Sequence, residues 1–546
     1  MTDPRQYVQW LPFRTMVLGL LQGLALLSFI AQYFIEPDTT NMLCVGLVVL
    51  TSSLVFQYLW HTEAMTDNPL SSLALLGFTA SSQYAALLTQ TFSGTEFIQY
   101  LRAPELTFTV LAGVHVSVLL AHFVFRNFTP LRNASGFIGT HIYGPLNVHR
   151  VPTAMALWMF APLGVAAFTL GGGAMGDVGG KFIAAFTFMV WMPFLIPLFH
   201  EVVGPHYCDI KKQIPLIVGY GLAIIVIALV KNFRAMMFVG PLQLLFIFIV
   251  YKCRHRQPVS RNLLKGIVLM ALVGALAMPS LSDLMVAMQM ARANREKATP
   301  AEMLRDTVDT FLDKQRLEQY RNTGATAYIL DTYDERYLAN PMLNRLSETK
   351  FHDNMLFLAQ NFREDDRDAL IDHLVGGLVG ILPQNVIDFL DIKRNKNQFI
   401  YSNGDFYVNQ RYGTKLGGYI TGSIWADIHV LCGIWLPLAV FALGTLVFVL
   451  MDALTRFGPG VFISPAALCV TWHYFLYGIG GESIVAKVNQ LTRGTLQGVL
   501  LYALAIYTIH FLLQLFRLST FVPTVGANGN GASGITGPAQ APQPLN

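Results

Sequence analysis

Apolar runs separated by short polar connections set the rhythm of the chain, and they have the length a bilayer demands. A helix that crosses the hydrocarbon core needs roughly 20 mainly apolar residues. Twelve stretches meet that description. They are Phe13–Ile35, Met42–Trp60, Leu70–Gln90, Leu106–Phe125, Pro152–Gly171, Phe182–Leu198, Ile214–Val230, Ala235–Tyr251, Leu263–Ser280, Ile424–Leu450, Gly460–Ile479 and Leu496–Phe516. The third has the weakest pattern. The first is too long for a signal-peptide core and has no small-residue cleavage site after it, so it reads as a retained helix. The pattern predicts an all-α integral membrane protein of about twelve spans.

The rhythm breaks once. Residues 281–423 form a polar stretch with no convincing span. The chain thus divides into helices 1–9 over residues 1–280, a large loop over 281–423, helices 10–12 over 424–520, and a tail over 521–546. That tail is rich in Gly, Pro, Asn and Ala, the composition of a disordered segment. Inside the loop, Thr299-Pro300-Ala301-Glu302 is a capping box with proline at the first helical position. The helix it opens carries Leu304, Val308, Phe311 and Leu312 at helical spacing and runs towards Gly324. A second helix is expected over Arg363–Leu378, stopping before Pro383, with an apolar end over Leu374–Leu382 that suits the membrane interface. Asn395–Tyr419 is rich in Gly, Asn and Tyr and reads as irregular structure.

Composition agrees with the pattern. Hydrophobic residues make up 53% of the 546, and charged residues only 13%, about half of the roughly 25% usual in a soluble domain. A net charge of +4 is too weak to suggest nucleic-acid binding. The placement of charge is more informative. With the N-terminus inside, short inner segments, together with Arg14 and Lys265 at the adjoining helix ends, carry 14 Lys/Arg and short outer ones carry 6, which is the expected asymmetry. Lys252–Lys265 supplies five of the inner charges without an acid. Both termini are therefore expected in the cytoplasm and the loop outside. The loop has 17 Lys/Arg against 20 Asp/Glu and no cysteine, so it must fold by packing rather than by disulfides.

Against that background a few polar residues stand out. Lys231-Asn232-Phe233-Arg234 is a very short outer connection with two cations, against the inside-positive trend. Such cations can snorkel to headgroups, or bind the phosphates of a lipid-linked substrate, which an Arg fork matches bidentately. Arg345 lies in a basic cluster with Arg336, Lys350 and His352; most of these are expected to pair on a solvated face with Glu335, Glu348 and Asp353. The approach to the tenth span holds Arg411, then Gly422, Ser423, Trp425, Asp427 and His429. Asp427 can serve as a general base or simply favour a helix N-terminus.

Metal chemistry finds little support. His200, Glu201 and His206 have the wrong spacing for a helical zinc site. His115 and His122, seven apart in the fourth span, read first as buried packing residues, although ionisable groups inside a bundle invite a functional hypothesis. The acidic runs Asp331–Asp334 and Glu364–Asp366 could hold a divalent ion, but such runs read first as solvated faces. No phosphate-binding Gly loop or dinucleotide fingerprint is present.

Three features carry a resemblance to a known family. They are the arginine in Lys231-Asn232-Phe233-Arg234-Ala235, the late outer loop with Asn344-Arg345-Leu346-Ser347 and Leu382-Pro383, and the exit Gly422-Ser423-Ile424-Trp425-Ala426-Asp427 into a helix with Gly433 and Gly444. In these the chain resembles bacterial O-antigen and exopolysaccharide repeat-unit polymerases, which are related to O-antigen ligase. The resemblance implies a membrane glycosyltransferase of the C-type fold in the bacterial inner membrane, acting at the periplasmic face. Its substrate would be a polyprenyl-pyrophosphate-linked oligosaccharide. It would use no metal, cofactor or nucleotide sugar, and would work beside a flippase and a chain-length regulator. Carried over, Arg234 and Arg345, with Lys231 and Arg411, would hold the pyrophosphate, and stabilising that developing charge is a large catalytic term. Asp427 is the first candidate for the base and His352 the second. The ligase branch places a histidine where this chain has Thr421–Ser423, a departure that favours polymerase over ligase. From a different class, a lipid-linked oligosaccharide flippase also suits twelve spans, but no pair of related halves is visible.

Overall fold

The computed structural model describes residues 13–171, 182–231, 233, 236–237, 245, 248–249, 252, 261–292, 299–323, 333–334, 337–338, 341–344, 347–382, 384–393, 401–414, 416–418, 420–456, 462–467 and 479–522. Over these residues the fold is helical, apart from a two-residue pairing of Thr455–Arg456 with Phe462–Ile463 and a lone bridge between Pro152 and Phe521. Among them, seven helices are long and apolar enough to cross a membrane: α1 (Phe13–Ile35), α2 (Thr39–His61), α3 (Pro104–Asn127), α4 (Phe182–Glu201), α5 (Ile210–Val230), α6 (Ile424–Asp452) and α7 (Ile484–Leu515).

These helices carry apolar side chains outwards as well as inwards. Leu26, Leu27, Ile30 and Phe34 of α1, and Leu216, Val218, Leu222 and Val226 of α5, are exposed. Gln32, Asn41, Thr51, Gln83, His115 and His122 are buried. Apolar side chains can face outwards without cost only in an apolar solvent, and buried polar groups must find partners inside. They do: Gln32 Nε2 donates to Thr91 Oγ1 (3.1 Å) and Gln83 Nε2 to Thr51 Oγ1 (2.7 Å). The chain is membrane-embedded.

Seven of the predicted spans correspond to α1–α7. The third is a helix over 69–92, buried along most of its length and distorted by a π turn at Ala80–Tyr84. The fifth is the 17-residue helix Ala154–Leu170. The ninth lies in helix Arg261–Arg292, which runs past the predicted loop boundary at residue 281. The eighth and eleventh fall largely outside the described residues, as does the tail beyond residue 522.

In the loop, the capping box at Thr299–Glu302 forms as expected, and its helix ends at Leu312 before a second helix, Lys314–Thr323. The helix expected from Arg363 is Glu364–Ile381. Its acidic start forms the first turn, where Asp366 accepts from Arg363 N–H (2.9 Å) and the helix dipole favours negative charge. Its apolar end packs on the start of α7, close enough that a Cβ on Gly377 would lie 2.9 Å from Val485. The stretch expected to be irregular contains a helix, Asn403–Tyr412, opened by a capping box between Ser402 and Asp405.

His373 of helix Glu364–Ile381 is stacked against Tyr401 (4.8 Å) and Phe406 (4.9 Å). Burial pushes its pKa down to about 4, against a smaller opposing pull from Asp372. Between that value and an unfolded value of about 6.5, the unfolded chain binds more protons than the folded one. The neutral form's stabilisation is therefore intact above the unfolded value and is lost as pH falls through the window, by about 3 kcal/mol in the limit. Hydrogen exchange across Glu364–Ile381 should accelerate from about pH 6.5 to about pH 4 beyond the intrinsic rate, and His373→Phe should abolish that excess. An unchanged excess in the variant would assign the effect elsewhere.

Candidate functional site

The loop seats on the bundle through the buried helix Thr349–Ala359, and that seating builds the site. The π turn at Ala80–Tyr84 shifts the helical ladder and leaves carbonyls for outside donors. Ser81 O accepts from Glu348 N–H (2.9 Å), and Ser82 O accepts from Thr349 Oγ1 (2.7 Å). One turn further, Asp353 accepts from Arg102 N–H (2.8 Å), Ala103 N–H (2.9 Å) and Thr107 Oγ1 (3.2 Å), so a loop carboxylate caps the first turn of α3. Lys350 Nζ lies 3.6 Å from the same carboxylate. Burial pushes Asp353 up and Lys350 down, with their mutual attraction opposing both.

The described members of the cluster expected on a solvated face, Glu348, Lys350, His352 and Asp353, are therefore buried. Lys350 pairs with Asp353, and His352 Nε2 faces Glu348. Side chains at i,i+3 and i,i+4 meet on any helix; burial follows because Thr349–Ala359 fills the space between α3, α6 and the 69–92 helix.

His352 is at the centre. Its Nδ1 lies 2.9 Å from Ser423 Oγ, the residue that N-caps α6. Its Nε2 lies 3.7 Å from Glu348 Oε2. Among the described residues neither Nε2 nor Oε2 has a hydrogen-bond partner, and both atoms are buried. Trp425 forms one wall, edge-on to His352 and to Phe78. Lys487, one turn into α7, donates to Gln490 Oε1 (2.7 Å) and lies within electrostatic reach of the Glu348 carboxylate. A second π distortion, Gln490–Gln497, follows it directly. Glu482 stands exposed at the edge, while its carbonyl is so close to Gly422 that a Cβ there would lie 2.5 Å away. Only glycine lets these two backbones meet.

Asp427 lies on the same segment, two residues past Trp425, but its carboxylate is fully engaged. Oδ1 accepts from Asn403 Nδ2 (2.7 Å) and Tyr407 OH (3.1 Å), and Oδ2 accepts from Ile484 N–H (3.0 Å). It ties helix Asn403–Tyr412 and the start of α7 to α6. The two candidate bases thus share a neighbourhood, with His352 holding the unpartnered atom.

The cation candidates are dispersed. Lys231 donates its ammonium to Phe168 O (2.7 Å) and Thr169 O, closing the carbonyl end of helix Ala154–Leu170. Arg411 is exposed in the last turn of Asn403–Tyr412. Arg234, Arg345 and Arg336 lie outside the described residues. Sequence reasoning missed Lys487, Glu482 and the structural weight of Ser423; a lysine early in the last apolar helix was the available signal. Among the described residues no three His, Cys, Asp or Glu side chains are placed to hold a metal ion.

The two histidines of α3 both bond to serines of the 69–92 helix. His115 Nε2 lies 3.0 Å from Ser82 Oγ, with Nδ1 on Leu111 O. His122 Nε2 lies 2.9 Å from Ser71 Oγ, with Nδ1 2.9 Å from Tyr58 OH.

Comparison with known protein families, curated proteins and solved structures returns no match.

Proposed function

We propose that the chain is a membrane glycosyltransferase that polymerises polyprenyl-pyrophosphate-linked oligosaccharide repeats at the outer face of a bacterial inner membrane. The observation that supports it most is the pair of unpartnered buried atoms, His352 Nε2 and Glu348 Oε2, 3.7 Å apart where the loop meets the bundle. If Nδ1–H donates to Ser423, Nε2 carries the lone pair and can take the proton of an acceptor hydroxyl. The acceptor oxygen then bonds the anomeric carbon as the carbon–oxygen bond to pyrophosphate breaks. Glu348 offsets the imidazolium charge, and the proton returns to solvent at the Glu482 edge. Arg234 and Arg345 are the proposed pyrophosphate ligands on the resemblance, joined for Arg234 by its place in a short outer connection; the C-type fold rests on the resemblance, and the full set of twelve spans on the apolar runs.

The second reading is a flippase for the same lipid. The observation in its favour is the buried Tyr58–His122–Ser71 line, polar equipment that a surface transferase does not require. Gel analysis of lipid-linked glycans separates the two. Arg234→Ala and Arg345→Ala should leave the protein inserted but remove long polymer, with single lipid-linked repeats accumulating at the periplasmic face. Repeats retained on the cytoplasmic face would support the flippase, and normal polymer in both variants would overturn the transferase assignment.

A further inference from the structure

A second polar group lies at the other end of the bundle, on the side where Arg14 at the start of α1 bonds Thr62 O. It joins four buried or half-buried side chains from four helices. Tyr58 OH is 2.9 Å from His122 Nδ1, His122 Nε2 is 2.9 Å from Ser71 Oγ, and Ser71 Oγ is 2.5 Å from Asp452 Oδ2. Ser71 N–H also donates to Asp452 Oδ1 (3.2 Å).

Counting hydrogens gives this line a direction. Ser71 has one hydroxyl hydrogen. Asn68 O is 3.2 Å from Ser71 Oγ, and the carboxylate at 2.5 Å is the shorter, charge-assisted acceptor. With that hydrogen on Asp452, the contact to His122 requires Nε2–H as donor. Nδ1 is then the acceptor, and the Tyr58 hydroxyl fills it. Every link carries one hydrogen, all pointing towards Asp452. At the far end the Arg126 guanidinium lies beside the Tyr58 hydroxyl and pairs with Asp67 at 2.8 Å, and the Asp67 carboxylate is open to solvent. Arg126 and Asp67 are the charged groups facing the line. Glu63 pairs with Arg14, and Arg132 on the next helix is exposed.

We propose that Tyr58, His122, Ser71 and Asp452 form a proton-binding line, in which a proton arriving beside Arg126 and Asp67 is taken up as the neutral acid of Asp452. The step balances. An incoming proton joins the Tyr58 oxygen as the tyrosine hydrogen moves to His122 Nδ1. The Nε2 hydrogen moves to Ser71, and the serine hydrogen moves to Asp452. The only net change is one proton bound, one carboxylate neutralised and one imidazole tautomer switched, and release runs the same links backwards. The inference is independent of the transferase reading, since it concerns the other end of the bundle and a different ligand.

The test uses the full purified chain in lipid nanodiscs and infrared difference spectra over about pH 4 to about pH 9. A carboxylic-acid carbonyl band should grow as pH falls and be missing in Asp452→Asn, whose amide oxygen still accepts from Ser71. Should that variant fail to fold, Asp452→Glu makes the assignment by moving the band. Ser71→Ala and Tyr58→Phe should keep the band but slow its appearance after a pH jump by about tenfold or more, since a positioned proton donor is worth at least that much. Absence of any Asp452-dependent band overturns the proposal. So does a band that appears at the wild-type rate in both interrupted variants.

Discussion

His352→Gln should lower glycan polymerisation by about 10²- to 10⁴-fold, the range for removal of a positioned general base. Glutamine keeps a polar group against Ser423 and fills most of the volume, so insertion and loop docking should survive. Glu348→Gln should cost less, because it leaves the imidazole in place and removes only the charge that steadies its protonated form. The measurement is polymer length and rate in membranes with each variant at matched abundance. Full-length polymer from His352→Gln would remove the imidazole from the chemistry, whatever happened to Glu348→Gln.

Asp353→Ala should be the most destabilising single change in the loop, costing about 3–5 kcal/mol, the usual range for breaking a buried ion pair. The truncation leaves Lys350, 2% exposed, without its carboxylate, and it strips the cap from Arg102 and Ala103 at the start of α3. Arg102 would still stack on Phe357, which limits the loss. Lys350→Met in the same chain should recover part of the cost by removing the orphaned charge. Thermal unfolding in detergent and limited proteolysis of 281–423 report both effects. An unfolding temperature and cleavage rate equal to wild type for Asp353→Ala would show that the loop is held by other contacts.

The spans are readable because a bilayer fixes helix length, so apolar runs of that length fall on all seven of α1–α7. The site was less readable, because its contacts link residues far apart in sequence. His352 reaches Ser423 across 71 residues, and Asp353 reaches Arg102 across 251. Ion pairs at i,i+3 and i,i+4 were visible, but nothing local tells a solvated face from one pressed into a bundle. Helix Asn403–Tyr412 was hidden by its Gly and Asn content, although Ser402 and Asp405 stood at capping-box spacing. Asp427 attracted attention as an acid near an interface, and its three donors come from two other segments. The missing histidine near Thr421–Ser423 also reads differently in three dimensions. An imidazole does stand against Ser423, supplied by another helix, so this departure loses its force in separating polymerase from ligase.

The paired serines and histidines constrain motion. Ser71 and Ser82 are eleven residues apart on one helix, and their partners His122 and His115 are seven apart on α3. Two bonds at unequal spacings act as a two-point latch that fixes both the slide and the crossing angle of the helices. A shift of one turn, about 5.4 Å, would break both at once and leave the Nε2 atoms of two buried imidazoles without their partners. These two helices should therefore move as one body, and any opening of the protein must occur along a different seam.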